Sequence, residues 1–175
     1  MPDQSYGPKV YKKDGGDTLV VASGGQIVVE PGGVFAGAKA GTVASGAAIV
    51  LTAAQSGSIL LFDVATALQY TLPPPAVNLA FTFITTVTQT SGNHKIITDA
   101  AGTFLMGGAF VGIAAGTGTQ FWGNGTTHIA FTQNGTTTGG LFGSIVYAYC
   151  VNGTQWQIDA TVEGSGTIAT PFATS

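Results

Sequence analysis

Large apolar residues come in short bursts along this chain, and glycine, proline or asparagine follows most of them. Ile49-Val50-Leu51-Thr52 leads into a turn at Gln55-Ser56-Gly57. Ser58-Ile59-Leu60-Leu61-Phe62-Asp63 is nearly continuous in apolar residues, which predicts a strand covered on both faces. Gln69-Tyr70-Thr71-Leu72 runs into Pro73-Pro74-Pro75, where missing N–H groups and a fixed φ end any ladder. From Leu79 to Thr88, large apolar residues partly alternate with threonine, as in a half-buried strand. Lys95-Ile96-Ile97-Thr98 and Thr103-Phe104-Leu105-Met106 add two more strands. No stretch of ten residues carries a helical period with caps, so the pattern predicts a chain that is almost entirely β.

The last third is punctuated by Asn124-Gly125, Asn134-Gly135 and Asn152-Gly153, each followed by threonine. Asn-Gly suits the type I′ turn, in which both central residues take positive φ. The expected hairpins pair Thr119–Trp122 with His128–Phe131, and Ile145–Val151 with Gln155–Asp159. The same triplets match a glycosylation acceptor pattern, but the turn is the reading adopted.

The first third differs. Pro2 and Pro8 disfavour helix, and Lys12-Lys13-Asp14-Gly15-Gly16-Asp17 is the most charged stretch, so residues 1–17 read as an extended arm. Tyr6, Val10 and Tyr11 are anchors that a short tail does not bury on itself; the arm is either loose or ordered against a neighbouring subunit. Leu19–Gln26 and Ile27–Val34 then form a repeat with an eight-residue offset, each unit a short aliphatic strand and a Gly-Gly turn. The expected domains are the arm 1–17, a Gly-rich β-repeat and linker 18–45, and an antiparallel β domain 46–175, a barrel or a sandwich.

Composition narrows the functional classes. Only 7% of the 175 residues are charged, against roughly 25% in an ordinary globular domain, while 45% are hydrophobic. There is no arginine, and three of the five lysines (Lys9, Lys12, Lys13) fall in the first thirteen residues. With a net charge of −3 no basic face exists to neutralise phosphates, so nucleic acid is not an expected partner. No apolar run reaches the roughly 18 residues of a spanning helix, and Met1–Tyr6 lacks the basic and apolar parts of a secretory leader. A surface this poor in ions does little to keep copies apart; the chain is either a well-packed, neutral-surfaced β monomer or, the reading adopted, buries its surplus apolar area between chains.

Little chemistry is on offer. His94 is expected in an exposed turn and His128 at a strand start, with no clustered Cys and His for zinc. Asp63 and Asp99 end strands. Asp159 and Glu163 make a glycosidase-like pair only if they meet a neighbouring copy's acids at about 5–9 Å. Cys150, between Tyr149 and Val151, reads as a small buried hydrophobe. No catalytic, metal or cofactor residue is assigned, and the chain is not expected to be an enzyme. Trp122 and Trp156 are the candidates for stacking on a sugar.

The stretch Leu51-Thr52-Ala53-Ala54-Gln55-Ser56-Gly57-Ser58, with Phe62-Asp63, Tyr70–Pro75 and Phe81-Thr82-Phe83, resembles a pattern in virion proteins of tailed bacteriophages. Asn152–Ile158 is similar to the closing hairpin of those modules, and the Gly-Gly repeat resembles segments ahead of them in head decoration (cement) proteins. The resemblance implies a β-rich homotrimer on the outer capsid surface, made in the host cytoplasm and bound to the major capsid protein. It would clamp the shell against the pressure of packed DNA. By the same analogy Tyr6, Val10, Tyr11, Lys12 and Lys13 would reach across capsid protein. The alternative is a tail fibre or receptor-binding tip that recognises host glycans through Trp122 and Trp156.

Overall fold

The apolar bursts become strands in the computed structural model, which describes residues 10–13, 18–21, 40–41, 48–113 and 116–175. Contacts divide the chain into two units, Met1–Gly37 and Ala38–Ser175. In the first, β1 (Val10–Lys13) and β2 (Thr18–Val21) form an antiparallel hairpin with Lys13 opposite Thr18. The hairpin pairs residues 10–13 of the expected arm with residues 18–21 of the expected β-repeat. Tyr6 and the second copy of the Gly-Gly repeat lie outside the described residues.

The second unit is built of β3 (Ala40–Gly41), β4 (Ala48–Val50), β5 (Ile59–Phe62), β6 (Gln69–Thr71), β7 (Ala80–Thr85) and β8 (His94–Ile97). There follow β9 (Phe104–Ile113), β10 (Gly118–Asn124), β11 (Ala130–Gln133), β12 (Ile145–Cys150), β13 (Gln155–Gly164) and β14 (Phe172–Ala173). A 3-10 turn, Ala53–Gln55, is started by the Thr52 N–H donating to Gln55 Oε1 at 2.8 Å. No α-helix occurs among the described residues. The strands form two open sheets, ordered β10-β9-β13-β12-β7-β5-β3 and β14-β11-β8-β6-β4. This is a sandwich-like all-β fold, and neither sheet closes into a barrel.

The sheets are mixed, which corrects the antiparallel expectation. From β3 to β8 the chain alternates between them, so β3, β5 and β7 lie parallel in one and β4, β6 and β8 parallel in the other. A parallel pair needs a crossover, commonly a helix; here a strand of the opposite sheet does that work. β3, which falls in the expected linker, is the first strand of this winding and pairs with β5. Later, β13 runs parallel to β9 along ten residues, while β12 joins β13 to β7 by antiparallel ladders.

Strand alternation supplies the core: Leu60, Phe62, Phe81, Phe83, Leu105, Val111, Trp156, Ile158 and Val162 point inward from the larger sheet, and Tyr70, Ile96, Phe131 and Phe172 from the smaller. Phe62 meets Tyr70 edge-on at 5.2 Å, Phe81 tilts over Trp156 at 5.9 Å, and Phe131 meets Phe172 edge-on at 5.4 Å, separations that favour aromatic pairs. Cys150 is buried, and that burial pushes its thiol pKa up, in keeping with a packing residue. Ile59, by contrast, is 40% exposed, so β5 is not covered on both faces as its apolar run implied.

Of the expected hairpins, the one at Asn152-Gly153 is present, with Cys150 opposite Trp156. The one at Asn124-Gly125 is not: β10 pairs with β9, and β11 crosses to the other sheet beside β8 and β14. Nor are the turns type I′, because none of the three asparagines has positive φ, and Gly153 does not either. Each asparagine instead works through its side chain. Asn134 Oδ1 accepts the N–H groups of Thr136, Thr137 and Thr138 at 2.9, 2.7 and 3.1 Å, while its Nδ2 donates to Thr137 Oγ1 at 2.8 Å. Asn124 repeats this with Thr126, Thr127 and His128, and Asn152 with Thr154 and Gln155. Such local side-chain bonds suit these residues to turns.

At the β12–β13 turn the asparagine should therefore matter more than the glycine. Asn152→Ala strips acceptors from two amides and should lower unfolding free energy by about 1–2 kcal/mol. Gly153→Ala, with negative φ and nothing within 4 Å of the added Cβ, should stay within about 0.5 kcal/mol of the parent. Urea unfolding of both variants measures the order; equal losses would reject this account of the turn.

Candidate functional site

The residues that β9, β10, β12 and β13 do not turn inward form one continuous outer face, and the ladder registers define its rows. Trp122 lies opposite Gly108, Gly108 opposite Asp159, and Asp159 opposite Tyr147. The next row reads Gln120, Phe110, Thr161, Ile145, and the one beyond it Gly118, Gly112, Glu163. Trp122 is 69% exposed and Phe110 43%, while Tyr147 and Tyr149 stack nearly parallel at 6.3 Å. No strand of this sheet contains lysine, arginine or histidine, so Asp159 and Glu163 sit on an aromatic face without a cation among its strand residues.

Glycine shapes this face by omission. A Cβ at position 118 would run into the Phe110 ring, and one at 108 would stand 3.2 Å from Trp122 Cζ3. The rings lie across strands whose side chains have been removed, a recurrent reason for glycine inside a strand. Above the Phe110 end, the segment Gly139–Ser144 brings in Phe142, which is 69% exposed. Phe110, Phe142, Thr161 and Glu163 line a pocket of about 270 Å³ there.

The candidate residues separate accordingly. Trp122 is on the outer face, but Trp156 is completely buried against Phe81 and has no surface with which to stack on a sugar. That corrects its place among the glycan contacts: it is an inward residue of β13, next to the outward Gln155 and Gln157. Asp159 and Glu163 share one face of one strand, four residues apart, hence about 13 Å along the strand and beyond the range of a catalytic carboxylate pair within one chain. Val10, Tyr11, Lys12 and Lys13 form β1. Among the described residues no three His, Cys, Asp or Glu side chains converge as metal ligands do. Phe110 and Phe142 were not singled out from the sequence; their signal was the glycines at 108, 112 and 118 and those flanking residue 142. The chain matches no family model, no curated protein and no solved structure in comparisons with known proteins.

A second polar feature is internal. His94 is fully buried in β8 rather than exposed in a turn, and its ring stacks on Phe62 at 4.4 Å. Neither ring nitrogen has a hydrogen-bond partner. Burial lowers its pKa from 6.5 to about 4, opposed in part by the nearby Val64 backbone and by the Asp63 carboxylate. The same burial, with Asp63, pushes the Tyr70 phenol up to about 12 while its hydroxyl donates to the Leu61 carbonyl at 2.8 Å.

A histidine depressed in the folded state binds its proton first when the chain unfolds, so stability falls as pH drops from 6.5 toward 4 and levels below that. At about 1.4 kcal/mol per unit the loss is on the order of 3 kcal/mol. His94→Phe sacrifices no hydrogen bond and should remove this part of the pH dependence. Chemical unfolding at pH 7, 5.5 and 4 would show it; an unchanged slope would mean that His94 does not titrate as its burial implies.

Proposed function

We propose that this chain is a structural protein of a virus particle, a homotrimeric decoration (cement) protein that binds the outside of a phage capsid and steadies it against internal DNA pressure. The observation that carries the reading is the open outer face of the larger sheet, where Trp122, Phe110 and Tyr149 stand exposed among residues carrying no cation. Exposed aromatic patches of this kind mark surfaces that other proteins cover. The sparse charge of the chain and the resemblance carried by residues 51–83 and 152–158 support the same reading. In it, Tyr6, Val10, Tyr11, Lys12 and Lys13 supply a second capsid contact, and several modest contacts per trimer raise residence by multivalency.

The exposed Trp122 favours a second reading, a glycan-binding module of a tail fibre or spike, now resting on Trp122 without Trp156. Copy number in the particle separates the two: hundreds for a cement protein, tens or fewer for a fibre.

The direct test is cosedimentation of purified protein with expanded shells. Apolar burial predicts binding that salt hardly weakens. Trp122→Ala should weaken it by about thirtyfold, the roughly 2 kcal/mol of an aromatic hot spot, with the melting temperature unchanged. A protein that ignores shells at every salt concentration, or that runs as a single chain when concentrated, would reject the decoration reading.

A further inference from the structure

The pocket at the end of the outer face has the makings of a specific site. Gly112 and Glu163, opposite each other in the β9–β13 ladder, both line it, so a position without a side chain adjoins the carboxylate. Phe110 closes one side, its ring lying where a Cβ on Gly118 would be. Phe142 lines it from a segment that is firmly held: its N–H donates to Thr88 Oγ1 at 3.1 Å, and the next N–H, of Gly143, to the Thr85 carbonyl at 2.9 Å. Glu163 is pinned on both sides of its backbone, by its N–H to Ser144 Oγ and by its carbonyl to the Leu141 N–H, each at 3.0 Å. A phenylalanine that is 69% exposed yet anchored this way is positioned rather than merely left over.

We propose that this pocket binds a primary alkylammonium group, the head of a lysine side chain presented by a partner protein. Two aromatic walls and one carboxylate are what such a cation requires. The strands of the sheet hold no cation beside Glu163, so an incoming cation meets no like charge there and no competing partner for the carboxylate on them. Anionic ligands are repelled. A neutral sugar needs donors as well as acceptors, and the side-chain donors here are the hydroxyls of Thr161 and of Ser144, the latter buried beneath backbone amides. The inference rests on the decoration reading only in taking the partner to be a capsid shell.

Titrating the full-length protein with Nα-acetyl-lysine amide, followed by NMR, tests the pocket. Binding is expected in the millimolar range, as suits so small a ligand. Acetylation of the ligand's ε-amine should abolish it, Glu163→Gln should weaken it about tenfold or more, and Phe142→Ala about twofold to fivefold. No binding by the parent, or equal binding by Glu163→Gln with its fold intact, overturns the proposal. The shell assay tests the source of the lysine: Glu163→Gln should reduce cosedimentation, and undiminished cosedimentation would remove the pocket from shell attachment. A parent protein that takes the lysine amide yet ignores shells sinks the decoration reading and leaves the pocket standing; a parent that binds shells but not the amide does the reverse.

Discussion

One layer of large side chains is shared by two sheets, and filling it constrains every strand that contributes. Phe62, Phe83 and Tyr70 meet at one place in the layer, Phe81 and Trp156 at another, and Phe131 and Phe172 at a third. Because strand side chains alternate, a slip of a single residue would turn an entire inward set to solvent. Register is thereby set even where a chain end or a short edge strand offers few ladder bonds. The alternating path from β3 to β8 makes the same demand on consecutive strands, since each must present its apolar side to a partner sheet built from the strands before and after it.

What the layer does not use becomes surface. In β13 the inward Trp156, Ile158, Ala160 and Val162 leave Gln157, Asp159, Thr161 and Glu163 outside; in β9 the inward Leu105, Ala109 and Val111 leave Met106, Gly108, Phe110 and Gly112. The outer face is thus apolar and acidic together, with glycines that lower its floor beside each carboxylate. Lys95, the lysine of the smaller sheet, lies on β8. The two sheets thus differ in charge: the acids Asp159 and Glu163 lie on the larger one with no cation among its strand residues, and the lysine lies on the other.

Most strands were legible in the sequence because their signals are local: the apolar bursts, the Pro73–Pro75 stop and the alternation of residues 79–88 all lie within a few residues of the strands they predict. Parallel pairing was not, since β5 and β7 are brought side by side by an intervening strand in the other sheet, and no turn residue encodes that. Asn124-Gly125 misled for a related reason: its turn chemistry closes a crossing between sheets as readily as a hairpin. His94 read as a turn residue because Ser91-Gly92-Asn93 precede it, whereas its burial follows from Phe62, thirty-two residues earlier. Of the face itself, Trp122 stood out early; the pocket did not, because it is made by glycines, which announce themselves only once the register is known.

The three asparagine turns tie shape to chemical durability. Asparagine followed by glycine is the dipeptide most prone to lose its side-chain ammonia through attack by the next backbone nitrogen. Here Oδ1 of Asn124, Asn134 and Asn152 is gripped by two or three amides, and Nδ2 is spoken for by Thr127, Thr137 and Gln155. Deamidation would replace that donor with an oxygen, which the Thr127 and Thr137 hydroxyls can meet by donating in turn, whereas Gln155 Oε1 beside Asn152 cannot. Each side chain must break these bonds before the next backbone nitrogen can attack it, so the same grip that shapes the three turns shields them from ageing.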